Sequence, residues 1–408
     1  MATLASTSSD VCSQLLISSS ITSTMCYSCQ GVGTKQIKGE KKKGCNPCKG
    51  TGFITRNRQR KSHRGKVSYP SFKTIGPLPV IAIEEAEKLL QPNEEFSFLT
   101  GHWRIIQTVD NHRFSSDDLL TAFIASREYK THTHTHSAVS ESTSYSCKML
   151  DLGCGLGSIL LMFAWQLPVS ICVGIEAQID RFALARRSIE VNLGRHDGRV
   201  QVFHKDIRNF SLEDEFCTDV APFDVITGSP PYFKGHLLGQ PGSFQTAGCI
   251  YELRGGIEEY CTVAYNIMSS QHNGQVDHPC MFIVCMTALS SDRVYAACNQ
   301  LGMAVLKRVD VIPKEGRSVL ICIFVLTLYK HVHLYSKRDR NAAETTDVST
   351  DNTSGTGKLV KGRAEGSIQG EEVEIICIRD KNDQHTEEYS RILSALGKPS
   401  SWDRQACS

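Results

Sequence analysis

Lys148-Met-Leu-Asp-Leu-Gly-Cys-Gly-Leu-Gly157 is the stretch that decides the fold of this chain. A short apolar run ends at Asp151, glycines follow at alternate positions, and an apolar segment begins at Ser158. This order predicts a strand, a tight turn and a helix. Glycine adopts backbone dihedrals that other residues avoid, and it lets a ligand approach the free N–H groups of the helix start. We therefore expect an α/β domain with a ligand site at this turn.

Acidic residues follow the next two apolar runs. The run Ser170–Ile175 leads to Glu176, about 20 residues after the turn, where a carboxylate can accept hydrogen bonds from both hydroxyls of a ribose. The run Val200–Phe203 leads to Asp206, which is placed to face the exocyclic amine of an adenine. The alternative is a tight turn that serves another nucleotide.

A diproline loop follows the predicted fourth strand, Pro222–Thr227, as Gly228-Ser-Pro-Pro-Tyr-Phe233. Diproline is stiff and holds its carbonyl groups in fixed directions, and the aromatic residue beside it offers a stacking surface for a planar group. Ligands of open α/β sheets bind at the carboxyl ends of strands, where this loop lies. The alternative is a rigid turn at the end of a strand.

Other segments alternate between strand and helix patterns, which predicts a mostly parallel sheet with helices on both faces. Ser115 or Ser116, followed by Asp117 and Asp118, signals the start of a helix. The remaining predicted elements are a short helix at Glu84–Leu90, helices at Ile179–Leu193, Ser291–Leu301 and Thr386–Leu396, and strands at Cys280–Met286, Ala304–Ile312, Ser318–Leu328 and Glu371–Ile378.

The amino-terminal region contains two Cys-x-x-Cys pairs, Cys26 with Cys29 and Cys45 with Cys48, and each pair precedes a Gly-x-Gly tail. Four thiolates at this spacing can form a closed tetrahedral zinc site. The alternative is a redox dithiol or a set of unliganded cysteines. The repeat resembles the cysteine-rich zinc modules of J-domain co-chaperones, which implies a small zinc ribbon with a structural or docking role.

Charge and composition narrow the choice of partner. The net charge of +2 over 408 residues says little, but Lys and Arg dominate between Lys35 and Lys73, which suits a phosphate backbone. A solvated linker or a nuclear localisation signal would also explain these runs. No apolar run has the length of a membrane span. Neither a signal peptide nor a transit peptide is supported, so we predict an intracellular, cytoplasmic protein, with a nuclear or organellar location as the alternative.

Taken together, the chain resembles the bacterial valine-tRNA adenine-N6 methyltransferase family, whose members are class I enzymes that use S-adenosylmethionine (SAM). The resemblance covers roughly residues 95–335 and 371–396. It rests on Gly101-His-Trp-Arg, Leu150–Gly157, Gly174-Ile-Glu-Ala-Gln178, Phe223–Phe233, Tyr251–Tyr260 and Gly316-Arg-Ser-Val-Leu320. It implies a Rossmann-like fold with a seven-stranded, mostly parallel sheet, and RNA, above all tRNA, as the partner.

The resemblance also implies the roles of individual residues. Ser229, Pro230, Pro231 and Tyr232 would orient the planar amine, although Ser229 stands where the family has Asn and its hydroxyl has a shorter reach. SAM would contact the glycine turn, the acids beyond it and the helix start, namely Ser116, Asp117, Asp151, Gly153, Cys154, Gly155, Gly157, Glu176, Ala177, Asp206, Ile207 and Ser229.

Two rival functions remain open. The same loop can orient a glutamine amide of a protein, and a scaffold that has lost activity could serve only in RNA binding or zinc-mediated docking.

The predicted organisation is a disordered 1–24, a zinc module 25–53, a basic linker 54–94, a methyltransferase domain 95–335 with an insertion at 127–146, a disordered insertion 336–370, a strand and helix of the same domain at 371–397, and a disordered 398–408.

Overall fold

The structure is a computed structural model that describes residues 76–109, 111, 113–133, 147–214, 220–234, 244–271, 279–335 and 371–398, together with four short strands before residue 60. The domain boundaries and the disorder predicted elsewhere in the chain stay predictions.

The four amino-terminal strands form a unit of their own. Strand β1 (Ile21–Met25) pairs antiparallel with β4 (Phe53–Asn57), and β2 (Thr34–Lys35) pairs antiparallel with β3 (Lys43–Gly44). Strands β1 and β4 overlap residues 1–24 and 54–94, for which disorder and a basic linker are predicted, and these domain boundaries stay predictions. The four cysteines of the predicted zinc site, Cys26, Cys29, Cys45 and Cys48, lie outside the described residues, so the zinc ribbon stays a prediction.

The second unit contains ten strands and eight α-helices among its described residues. The strands are β5 (Glu94–Thr100), β6 (Trp103–Thr108), β7 (Cys147–Leu152), β8 (Ser170–Glu176), β9 (Val200–His204), β10 (Val225–Gly228), β11 (Met281–Thr287), β12 (Met303–Ile312), β13 (Ile321–Leu328) and β14 (Glu372–Cys377). The helices are α1 (Ile83–Glu87), α2 (Ser116–Thr133), α3 (Ser158–Gln166), α4 (Ile179–Leu193), α5 (Phe244–Ile250), α6 (Ile257–Ser270), α7 (Ser291–Leu301) and α8 (Glu387–Ala395).

Eight strands form one sheet in the order β14-β12-β13-β11-β10-β7-β8-β9. All neighbours pair in parallel except that β13 runs antiparallel to both β11 and β12. The predicted Rossmann-like, mostly parallel sheet is confirmed. The predicted count of seven strands is wrong, because β14 pairs with β12 and extends the sheet at that edge.

Helices cover both faces of this sheet, and alternate residues of the central strands serve the two cores. Met149 packs with α2, α3 and α4, whereas its neighbour Leu150 packs with α6 and α7. Side chains of a strand point alternately to its two faces, so each strand supplies both cores. Strands β11 and β13 are buried along their whole length, as expected for a sheet that is covered on both sides.

Helix α2 continues to Thr133, beyond the point where an insertion was predicted to begin at residue 127. Its polar residues are paired within the protein. Glu128 is 2% exposed and accepts hydrogen bonds from Lys307 Nζ at 3.1 and 3.2 Å, and Arg127 forms a two-bond contact with Glu374 at 2.7 and 2.6 Å. These long-range partners explain why a polar segment that resembles a loop is helical.

A hairpin of β5 and β6, for which the sequence analysis assigned no element, packs against α4. The backbone N–H of Ile106 donates to Ser188 Oγ at 2.9 Å, and that of Arg104 donates to Asn192 Oδ1 at 2.8 Å. Side chains of α4 therefore satisfy donors of β6 that face away from its partner strand.

The carboxyl-terminal segment closes over the same hairpin. Thr100 Oγ1 donates to the carbonyl of Leu396 at 2.6 Å. Gly101 and Gly397 both face the Trp165 ring, and a Cβ added at either position would lie 2.8 or 2.6 Å from ring atoms. The residues after β14 thus complete the packing around α3.

Candidate functional site

The glycine turn between β7 and α3 has the conformation that the sequence predicted. Gly153, Gly155 and Gly157 have φ values of 65°, 59° and 78°, in the region that L-residues rarely adopt. The N–H of Cys154 donates to Ile175 O at 2.8 Å, and the N–H of Gly157 donates to Cys154 O at 2.9 Å. The turn therefore lies against the end of β8 and leads directly into α3.

Glu176, at the end of β8, fastens this turn. One carboxylate oxygen accepts from the N–H of Gly155 at 2.8 Å, and the other accepts from the N–H of Gln178 at 2.6 Å. Each carboxylate oxygen has a second lone pair. The residue can therefore hold the turn in place and still accept a hydroxyl of a ligand.

Two residues that the sequence analysis missed explain why these positions need glycine. A Cβ at Gly153 would collide with the Tyr260 hydroxyl, and one at Gly228 would lie 2.9 Å from Tyr260 Cδ1. A Cβ at Gly155 would lie 2.8 Å from Arg181 Nη2. The glycines thus make room for the protein's own side chains as well as for a ligand. The sequence shows only the glycines and their turn motif, and not the side chains that they face.

Asp151 carries a buried carboxyl at the end of β7, with 1% of the residue exposed. Its Oδ1 accepts from Thr227 Oγ1 at 2.7 Å, whereas Oδ2 has no hydrogen-bond partner among the described residues. Burial, and to a lesser extent the charge of Glu176, raises the pKa of Asp151 to about 7. An orphaned acceptor at this place fits a ligand that brings a donor or a positive charge.

The diproline loop follows β10, the strand directly beside β7. Ser229 Oγ is buried and has no hydrogen-bond partner among the described residues, and Pro230 is buried as well. Tyr232 is half-buried, and its hydroxyl donates to Asp117 Oδ2 at 2.9 Å. The predicted acceptor residues and the predicted cofactor residues therefore lie at the ends of neighbouring parallel strands.

The first turn of α2 contributes three polar residues to this edge of the sheet. Helix α2 begins at Ser116, which is exposed. Asp117 contacts the Ser115 hydroxyl and Tyr232. Burial, followed by the negative charge of Asp117, raises the pKa of Asp118 to about 8, opposed by Ser158 and Arg181. The predicted helix start is confirmed, and it lies between the acceptor loop and the glycine turn.

Asp206 follows β9 and is already paired. Its oxygens accept from Arg208 Nε at 2.9 Å and Nη2 at 2.7 Å, and these bonds lower the pKa of Asp206. Beside it, Ile207 is buried, and Ala177 O lies 3.0 Å from His204 Nε2. If Asp206 accepts from an adenine amine as predicted, its carboxylate must bind the amine and Arg208 at the same time.

Within the part of the chain that the structure describes, no group of three or more His, Cys, Asp and Glu side chains could hold a metal ion. The predicted zinc ligands lie outside this part. None of the described helices has both the length and the apolar character that a membrane span requires.

No protein family model matches the chain. It is 34% identical over 86 residues to a tRNA1(Val) (adenine(37)-N6)-methyltransferase of Histophilus somni, covering 21% of this chain and 34% of the relative. It is 35% identical over 88 residues to a release factor glutamine methyltransferase of Geobacter sulfurreducens, covering 22% and 27%. A tRNA1(Val) (adenine(37)-N6)-methyltransferase of Porphyromonas gingivalis is 28% identical over 172 residues, covering 42% and 63%. The chain thus spans about a third of the first curated relatives that it matches.

Among solved structures, a SAM-dependent methyltransferase from Agrobacterium tumefaciens matches with a TM-score of 0.39 and 12% identity, covering 59% of this chain and 71% of that protein. Pyrococcus horikoshii TYW2 in complex with MeSAdo matches with a TM-score of 0.36 and 13% identity, covering 58% and 72%. At these TM-scores, the structural similarity supports no conclusion about the function of this chain.

Proposed function

We propose that this protein is a SAM-dependent N-methyltransferase that methylates N6 of an adenine in RNA, with tRNA as the main candidate. One observation carries the proposal. Two buried acceptor atoms without partners among the described residues, Asp151 Oδ2 and Ser229 Oγ, occur at the ends of the adjacent strands β7 and β10. A methyl donor bound at one strand end would then lie next to an amine bound at the other.

The residues at the glycine turn suit SAM. The cofactor supplies an activated methyl group on a sulfonium, so the protein needs only to hold the reactants and favour the charge distribution of the transition state. Glu176 offers carboxylate oxygens for ribose hydroxyls, and Asp151 offers one for a cationic group. The predicted contacts of Ser116, Cys154, Ala177, Asp206 and Ile207 with the cofactor belong to this proposal. The predicted cofactor contact of Asp117 does not, because Asp117 is bonded to Tyr232 of the acceptor loop.

The diproline loop would orient the acceptor. Ser229 Oγ and the Pro230 carbonyl can each accept one hydrogen of a planar amine, and this leaves the nitrogen lone pair directed at the methyl donor. Tyr232 would stack on the plane of the base. The experiment is transfer from tritiated SAM to total tRNA from cells that lack the protein, with mass spectrometry of the product nucleosides. N6-methyladenosine is expected, and measured SAM binding without label in RNA would reject the RNA substrate.

A protein glutamine amide is the second candidate substrate. Two relatives with 35% and 32% identity are named release factor glutamine methyltransferases, and an amide presents the same pair of hydrogens to the loop. Release factors assayed beside tRNA separate the two substrates, because label should appear in only one of them.

The zinc module belongs to the proposal as well. Cys26, Cys29, Cys45 and Cys48 would bind one structural Zn²⁺, and the basic residues that surround them would contact the phosphates of the RNA. Replacing Cys45 and Cys48 by Ser should release the metal and weaken RNA binding while SAM affinity stays the same. Equal metal content in the variant and the wild type would reject the site. We also propose a cytoplasmic location.

A further inference from the structure

The hydroxyl of Tyr232 lies between two elements that are far apart in the sequence. It donates to Asp117 Oδ2 on α2 at 2.9 Å and lies 3.4 Å from Cys285 Sγ on β11. Asp117 contacts the Ser115 hydroxyl through its other oxygen. The side chain of Tyr232 is therefore fixed at both ends, by its own backbone in the diproline loop and by the contacts of its hydroxyl with Asp117 and Cys285.

This contact restricts the Tyr232 ring. A phenol has one O–H to donate, and here the donation goes to a carboxylate, which makes a stronger bond than a neutral acceptor. Burial, together with the Asp117 charge, raises the pKa of Tyr232 above its usual range, so the donor stays protonated. The ring cannot turn towards solvent without breaking a charge-assisted bond inside the protein.

We propose that Asp117 is a positioning residue that acts through Tyr232 and fixes its ring as one wall of the acceptor site. This inference rests on the proposed function. Asp117 and its neighbour Asp118 then serve different ligands, because Asp118 lies near Ser158 and Arg181 on the cofactor side of α2. A preorganised wall matters for transfer between two bound reactants, since a small misplacement of the acceptor lowers the rate.

A double-mutant cycle tests the inference with Asp117→Ala, Tyr232→Phe and the combination of both. Each single change removes the same hydrogen bond, so each should lower kcat/KM for the labelled acceptor by about 10- to 100-fold. The double variant should be no worse than the single ones. Asp117→Asn keeps an oxygen that can accept the bond and should restore most of the activity. The SAM dissociation constant, measured by calorimetry, should stay within about twofold of the wild-type value in all of them.

Asp292→Ala is the matched control, because Asp292 is an exposed acid in the first turn of another helix, α7. Weaker SAM binding by Asp117→Ala but not by Tyr232→Phe would overturn the inference, and so would losses that multiply in the double variant. Should Asp117→Ala fail to fold, Asp117→Leu takes its place in the cycle, because it also removes both acceptor oxygens. If the wild type labels neither tRNA nor release factors, the proposed function fails, and the inference fails with it. If the wild type is active and the cycle is additive, only the inference fails.

Discussion

Thr227 and Asp151 are joined by a hydrogen bond of 2.7 Å between neighbouring parallel strands. Thr227 immediately precedes the glycine that leads into the diproline loop, and Asp151 precedes the glycine turn. This bond occupies one carboxylate oxygen and leaves the other without a partner among the described residues. The two ends of the candidate site are therefore held at a fixed separation by a buried side-chain contact.

The raised pKa of Asp151 predicts that SAM binding depends on pH. SAM carries a net positive charge, so the ionised carboxyl should bind it better, and affinity should increase as pH rises through about 7. The folded state keeps a proton that the unfolded chain releases, so the free energy of unfolding should fall as pH rises from 3.8 to about 7. The pH dependence of SAM affinity is measured by calorimetric titration between pH 6 and 8, which is about one unit on either side of this pKa. Asp151→Asn should remove the dependence, and a slope that persists in this variant would point to Asp118.

Tyr260 predicts a rescue of a glycine substitution. Gly153→Ala adds backbone strain and a clash with the Tyr260 hydroxyl, and it should destabilise the protein by about 2–3 kcal/mol and weaken SAM binding. Gly316→Ala is the matched control, because Gly316 also has a positive φ (78°) but nothing within 4 Å of the added Cβ. It should cost only the strain, about 1 kcal/mol. Adding Tyr260→Phe to Gly153→Ala should recover part of the difference in urea unfolding, and no recovery would disprove the clash.

The buried charge cluster of Glu128, Lys307 and Arg127 predicts a loss of stability when one member is removed. Glu128→Ala removes the buried carboxylate of the cluster, while Arg127 keeps Glu374 and Lys307 keeps Glu372 at 3.4 Å, so the change should cost about 1–3 kcal/mol in urea unfolding. The paired change Glu128→Met with Lys307→Met should cost less than Glu128→Ala alone, because the Lys307 charge no longer needs a partner. If the double variant is less stable than Glu128→Ala, the attraction between the charges itself stabilises the fold, and the loss in Glu128→Ala is not explained by an unpaired Lys307 charge.

Ser229 predicts a specific kinetic phenotype. Ser229→Ala removes the orphaned hydroxyl at the end of β10 and should lower kcat by about 10- to 100-fold. Because Ser229 is also a predicted SAM contact, a weaker SAM affinity in this variant would assign the hydroxyl to the cofactor. Ser229→Thr keeps the hydroxyl and should retain more activity than Ala. Single-turnover transfer to the accepted substrate measures both variants. Equal rates for wild type and Ser229→Ala would show that the amine is oriented by the backbone carbonyl alone.

The parts of the site that the sequence predicted are those with a local signature. The strand ending at Asp151, the glycine turn and Glu176 follow one another within a single βαβ unit, and the structure places them together. The helix at Ile179–Leu193 has the predicted bounds because its amphipathic pattern ends at a glycine. Thr386 likewise caps α8 by accepting from Tyr389 N at 3.1 Å.

The parts that escaped prediction depend on contacts between distant residues. Thr227, Tyr260 and Arg181 look like ordinary strand and helix residues, and only the fold brings them to the glycine turn. An insertion is predicted from residue 127, whereas α2 continues to Thr133, and there Glu128 pairs with Lys307 of β12 and Arg127 with Glu374 of β14. The pairing of Asp206 with Arg208 was local but was overlooked, since the acid was interpreted only as a ligand contact.

The closure of the carboxyl-terminal segment over Trp165 has a practical consequence for handling the protein. Strand β14 and helix α8 follow residue 370, yet they complete a sheet edge and the packing around α3, so deleting them would remove part of the fold. Because their contacts with the rest of the unit are non-covalent, a chain cut between residues 335 and 371 should reassemble from its two co-expressed pieces. Such a split protein would provide a complementation reporter whose signal depends on the integrity of the sheet.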